Sequence, residues 1–161
     1  MIPDEKPESK YRRIIQGLAE KYQSEAFRPH ITLAGVPDWT EERIIKSIEK
    51  IAEDSPPLQL STGNIYCKQS PYQKITLGVL KSQKLDALHQ RIDGAFRGNF
   101  SKKLYPHLSL LYSRMSCSDL HQEIQGLEKK VDGQILFNRI AFIQCKGTPE
   151  DWRTLYLERL V

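Results

Sequence analysis

The chain has 161 residues, 39% hydrophobic and 27% charged. That is enough for one ordinary globular domain or for two small lobes sharing a core, and the mix falls outside the disordered, collagen-like and membrane classes. Its 24 Lys and Arg against 20 Asp and Glu leave a net charge of +4, too mild for a surface that coats nucleic acid yet suited to a small phosphorylated ligand. No stable nucleic-acid complex is therefore expected, and a monomer suffices. No apolar run approaches the ~18–20 residues of a membrane span, and the opening MIPDEKPESK is too polar for a signal peptide, which points to the cytoplasm and to no membrane partner. Cys67, Cys117 and Cys145 are odd in number, widely spaced and without a CxxC pair, so they are expected to stay reduced.

In chain order, Tyr11, Ile14, Ile15, Leu18, Ala19 and Tyr22 recur at helical spacing and predict a helix over about 8–22. Residues 29–36, Pro-His-Ile-Thr-Leu-Ala-Gly-Val, alternate like a half-buried strand. Thr40 is placed to cap a second helix, with Glu41 and Glu42 in its first turn, Ile44, Ile48 and Ile51 as its stripe, and Pro56-Pro57 as its stop. Strands over 58–68 and 74–80 follow, joined by the turn Gln69-Ser70-Pro71-Tyr72.

From Ser82 the order begins again. A helix carries Leu85, Leu88, Ile92 and Phe96, a strand spans 106–113, a helix carries Leu120, Ile124 and Leu127, and a hairpin joins 135–146 to 152–160 through Gly147-Thr148-Pro149-Glu150. The unit α-β-α-β-β is thus used twice, with Pro29-His30 and Pro106-His107 77 residues apart, as are Leu60 and Phe137. This predicts a single domain over 1–161, of α+β class, duplicated into two lobes by repeats at about 8–80 and 82–161. Antiparallel sheets would flank a central cleft, with helices outside. In the second unit a strand over 74–80 precedes the first helix; its counterpart in the first unit is expected upstream of Met1.

Alternation puts His30 and Thr32 on one side of their strand, opposite Ile31 and Leu33, and His107 and Ser109 repeat the pattern. Two imidazoles facing each other across a pseudo-twofold suit in-line displacement at phosphorus: one neutral ring accepts a proton from water while the other, protonated, donates to the leaving oxygen. The hydroxyls would hold the non-bridging oxygens. A lone His on a strand is usually structural, and it is the duplication that singles these out. Tetrahedral zinc needs three or four ligands, and no third His, Cys, Asp or Glu recurs beside both motifs, so neither metal nor cofactor is expected.

With His30-Ile31-Thr32 and His107-Leu108-Ser109 in place, the sequence resembles the 2H phosphoesterases, named for two HxT/S motifs, and within them the plant and yeast cyclic phosphodiesterase branch. The likeness extends to Ile2-Pro3-Asp4-Glu5, Phe27, Ser61-Thr62-Gly63, Leu110-Leu111-Tyr112, Asn138-Arg139 and Trp152. It implies the duplicated LigT-like fold and hydrolysis, without metal, of ADP-ribose 1″,2″-cyclic phosphate or nucleoside 2′,3′-cyclic phosphates. It also implies proton transfer by His30 and His107 and phosphate contacts from Thr32, Ser109 and Tyr112; His30 is assigned as acid and His107 as base, although pseudo-symmetry makes the two interchangeable in the sequence. A first strand bearing a Trp, usual in that branch before Ile-Pro-Asp-Glu, is not in this chain. Strict alternation would turn Tyr112 into the core, so a site role requires a bulge or strand end.

Arg28 and Tyr105 each stand two residues before a motif His, which predicts that both face the cleft, Tyr105 as a stacking surface and Arg28 toward a pyrophosphate. The loops 98–104 and 69–73 are expected at its border. Trp152, opening the last strand, reads as packing. Two alternatives share the features: an RNA 2′,3′-cyclic phosphodiesterase or 2′-5′ RNA ligase-like enzyme, which expects a broad basic groove, and a nucleotide-binding module without turnover.

Overall fold

In the computed structural model residues 1–35, 38–96 and 104–161 are described, and the apolar stripes read from the sequence converge on one core. Helix α1 (Glu5–Lys21) buries Tyr11, Ile15, Leu18 and Ala19, and α2 (Glu41–Glu53) buries Ile44, Ile48 and Ile51. Helix α3 (Gln83–Ala95) buries Leu85, Leu88 and Ile92; α4 (His121–Glu128) buries Leu127. Each large side chain among these contributes roughly 1.5–3 kcal/mol by leaving water. Ser82 caps α3, its Oγ accepting from the Leu85 amide at 3.2 Å. Thr40 does not repeat this for α2: it occupies the capping position without a side-chain hydrogen bond, and the helix start is favoured instead by the negative charges of Glu41 and Glu42.

The strands are β1 (Ile2–Pro3), β2 (Leu58–Cys67), β3 (Ile75–Val79), β4 (His107–Leu111), β5 (Gln134–Gln144) and β6 (Arg153–Arg159). All pairings are antiparallel, in the order β1-β5-β2-β3-β4 with β6 also on β5. The long β2 joins two groups: Leu58–Ser61 pairs with β5, and its second half, Thr62 to Cys67, pairs with β3. The predicted hairpins therefore form, but β3 carries β4, the strand of the second motif, on its outer edge. Central positions bury Leu58, Leu60, Leu77, Leu108 and Phe137 almost completely.

Two expectations are corrected. Residues 29–35 belong to no strand. Ile31 exchanges main-chain hydrogen bonds with Met1, its amide donating at 2.9 Å and its carbonyl accepting from the Met1 amino group at 2.6 Å. β1 is only two residues long, so it gives this segment no ladder to extend. The second correction concerns sulfur. Cys67 and Cys117, expected to be reduced, are joined in a disulfide with Cα atoms 5.8 Å apart, and Cys145 alone is free. The sheet order makes the pairing. Cys67 pairs with Ile75, which pairs with Leu111, and the chain leaving β4 folds back over that end of the hairpin.

Candidate active site

Both motif histidines are held by the same local device. The Nδ1 of His30 lies 2.7 Å from the carbonyl oxygen of Arg28, and that of His107 lies 2.8 Å from the carbonyl oxygen of Tyr105. A carbonyl can only accept, so each Nδ1 carries the proton and donates it, which leaves each Nε2 free to accept or deliver one. A fixed tautomer on both rings is the first requirement for proton traffic between them. The rings are also electrostatically coupled. Burial lowers the His30 pKa to about 4, against a rise from the Arg28 carbonyl hydrogen bond, and the Met1 amino group, His107 and Arg28 all oppose its protonation further.

Beyond the device the two motifs differ. His107 opens β4, opposite Gly78 on β3, and Ser109 is buried opposite Thr76. Thr32, by contrast, is exposed. The segment that carries His30 is fastened through Arg28 rather than through a ladder. The guanidinium of Arg28 grips Glu8 at 2.8 and 3.2 Å, and Arg12 and Arg139 reach the same carboxylate, each at 2.7–2.8 Å. Burial pushes the Glu8 pKa up, yet hydrogen bonds from Arg28 and Arg12 and the charges of Arg28 and Arg139 bring it below the ordinary value. Arg28 therefore does not offer its head to a ligand as expected; Glu8 occupies it, and its backbone carbonyl is the part that serves the site.

Tyr112 resolves the conflict of alternation. Ile75 faces Leu111 while the next residue, Thr76, faces Ser109, so β4 spends two residues against one of β3. This bulge shifts the alternation by one and returns Tyr112 to the face of His107 and Ser109. Its hydroxyl hydrogen-bonds with Ser109, and burial raises its pKa to about 12. Its ring stacks on Phe27 with centroids 3.9 Å apart and meets the edge of Tyr72 at 5.9 Å. Phe27 in turn lies edge-on to His30 at 6.4 Å, and Trp152 approaches both His30, at 6.4 Å, and Tyr112, at 6.2 Å. An aromatic wall thus runs from the first motif to the second.

Trp152, read as packing, belongs to this wall, as do Phe27, which the sequence marks only through the family likeness, and Tyr72, which it marks only as part of a bordering loop. Of the two bordering loops, 69–73 is brought in through Tyr72, whereas 98–103 lies outside the described residues. Tyr105 contributes its carbonyl to His107; the residue is 67% exposed, with the Lys81 ammonium 5.9 Å from its ring centroid. A cavity of about 710 Å³ opens beside His30 and Thr32, between that segment, Ile44 and Ile48 of α2, and Phe142 of β5. His107, Ser109 and Tyr112 are not on its wall, so it adjoins one motif rather than containing both. Among the described residues no three His, Cys, Asp or Glu are grouped to hold a metal ion, and no helix is long and apolar enough to cross a membrane.

The model of the 2′-5′ RNA ligase superfamily matches residues 4–148, which include both motifs. A protein of Arabidopsis thaliana named cyclic phosphodiesterase is 22% identical over 163 residues, spanning 96% of this chain and 89% of that protein.

Proposed function

The chain belongs to the 2′-5′ RNA ligase superfamily of 2H phosphoesterases, and on that premise we propose that it hydrolyses cyclic phosphodiesters, taking nucleoside 2′,3′-cyclic phosphates or ADP-ribose 1″,2″-cyclic phosphate. The observation that carries this reading is the mirrored imidazole pair, each ring fixed through Nδ1 with its Nε2 free. In the reaction one Nε2 accepts a proton from water as the water oxygen attacks phosphorus, and the opposite Nε2–H gives a proton to the departing ring oxygen. Ser109, with Tyr112 behind it, and Thr32 would donate to the non-bridging oxygens, where negative charge builds.

Burial supports the reverse of the division in which His30 is the acid and His107 the base. His30, with its pKa near 4, is neutral at pH 7 and fits the proton acceptor, which leaves His107 as donor. The test is a panel of cyclic phosphates assayed with and without EDTA. Opening of at least one, insensitive to EDTA, is expected. Competition by long RNA with a steep salt dependence would move the assignment to RNA ends. Tight binding of AMP with no hydrolysis of any member would leave a binding module.

A further inference from the structure

We propose that Cys67–Cys117 is a reversible thiol–disulfide site that sets the substrate affinity of the cleft by fixing the chain that carries Tyr112. The residues after β4 are tied to the β2–β3 hairpin at two points. The Ser113 amide donates to the Pro71 carbonyl at 2.9 Å, and four residues later Cys117 is bonded to Cys67 at the end of β2. Between them these ties hold Tyr112 against Tyr72, the residue after Pro71, and hence against Phe27 and Trp152. Tyr72 is 63% exposed, so the wall has little behind it to hold its outer end in place once the chain moves. Met115 and Leu120 pack on the core and keep the loop folded without the bond. Opening the disulfide is therefore expected to loosen the aromatic wall and leave the two histidine anchors intact.

The site is accessible to a reductant. Both cysteines are half-exposed, and their neighbours Lys68, Ser116 and Ser118 are exposed. A dithiol supplies the two electrons. Its thiolate attacks one sulfur, the Cys67–Cys117 bond breaks as a mixed disulfide forms, and the second thiol of the reductant releases it. Two protein thiols and one oxidised dithiol result. The free Cys145 takes no part, since the bridge is complete without it.

The proposal rests on the cyclic phosphodiesterase reading for its kinetic readout, so the experiment carries a second one. Full-length protein is prepared oxidised and dithiol-reduced, the state of each cysteine is fixed by alkylation and mass measurement, and hydrolysis of a nucleoside 2′,3′-cyclic phosphate is followed beside amide hydrogen exchange of residues 112–116. Reduction should raise KM about threefold or more with kcat held within about twofold, the pattern of lost binding rather than lost chemistry, and should speed exchange over 112–116. The C67S/C117S protein should show the reduced-state values whatever the redox conditions, and Cys145→Ala should switch like the natural sequence. An unchanged KM in protein shown to be fully reduced would overturn the proposal, as would two free thiols persisting under oxidant. If neither form hydrolyses any cyclic phosphate, the catalytic reading fails; exchange at 112–116 then decides the clamp, and no change on reduction refutes it.

Discussion

The two halves of the site carry nearly the same four residues in unlike surroundings. His107 stands on a ladder: β4 is paired along its length with β3, bulged before Tyr112 and tied beyond it by a disulfide. His30 stands on a segment outside the sheet, held by Met1 at Ile31 and by the Glu8–Arg28 ion pair. Both nevertheless fix Nδ1 on the carbonyl two residues back. What the two halves share is the local turn of chain before the His, and each holds that turn by different means. A ladder does so on one side, a buried ionic cluster on the other.

Exchange of either ring is the strongest test of this equivalence. His30→Ala and His107→Ala should each lower kcat by roughly 10²–10⁴, the scale of a general acid or base. Full activity in either variant would mean that only one motif works. Next in size, Glu8→Ala should act on the His30 half alone, because it strands the part-buried Arg28 and Arg139 beside a buried position. A stability loss of about 3 kcal/mol in denaturant unfolding is expected, and a variant as stable as the parent would show that the cluster is not what anchors the segment.

Smaller effects separate the hydroxyls. Ser109→Ala removes a buried partner of the Tyr112 hydroxyl and should reduce kcat/KM by about tenfold, roughly the 1–2 kcal/mol of such a hydrogen bond. Thr32→Ala, at an exposed position, should cost less. Equal losses would argue that the half-sites are interchangeable. The smallest change is one of shape in the pH profile. A His30 pKa depressed to about 4 keeps this ring neutral at every pH above about 5. The acid limb of kcat/KM should accordingly fall near pH 4 and not near the ordinary 6.5. The same shift makes stability complete above pH 6.5 and progressively lost as pH falls toward 4, because the unfolded chain binds the proton that the folded chain refuses. An acid limb centred at 6.5 would return His30 to the role of donor.

Much of this was legible in the sequence because it is local or repeated. The helices follow from the spacing of Tyr11, Ile15 and Leu18 or of Ile44, Ile48 and Ile51, since a buried stripe must recur with the helical turn. The pair His30 and His107 stands out because the same short pattern occurs twice, 77 residues apart. What the sequence concealed depends on neighbours far along the chain. Alternation within residues 29–36 predicts a strand, but a strand exists only where a partner lies alongside, and among the described residues Met1 alone hydrogen-bonds to this backbone, at Ile31. Trp152 read as packing because its proximity to His30 and Tyr112 is created by the return of β6 on β5.

By itself, then, the sequence determined the class of fold, the helical faces and the pairing of the His30 and His107 motifs, all properties carried by residue type and short-range period. The tertiary structure alone decided that Tyr112 faces the site, through a single extra residue in the pairing of β4. It also decided that Arg28 meets His30 through its carbonyl while its charge is spent on Glu8, and that Cys67 meets Cys117. Each of these is a matter of which distant segment lies alongside, and register and proximity between separated segments leave no mark on the order of the residues.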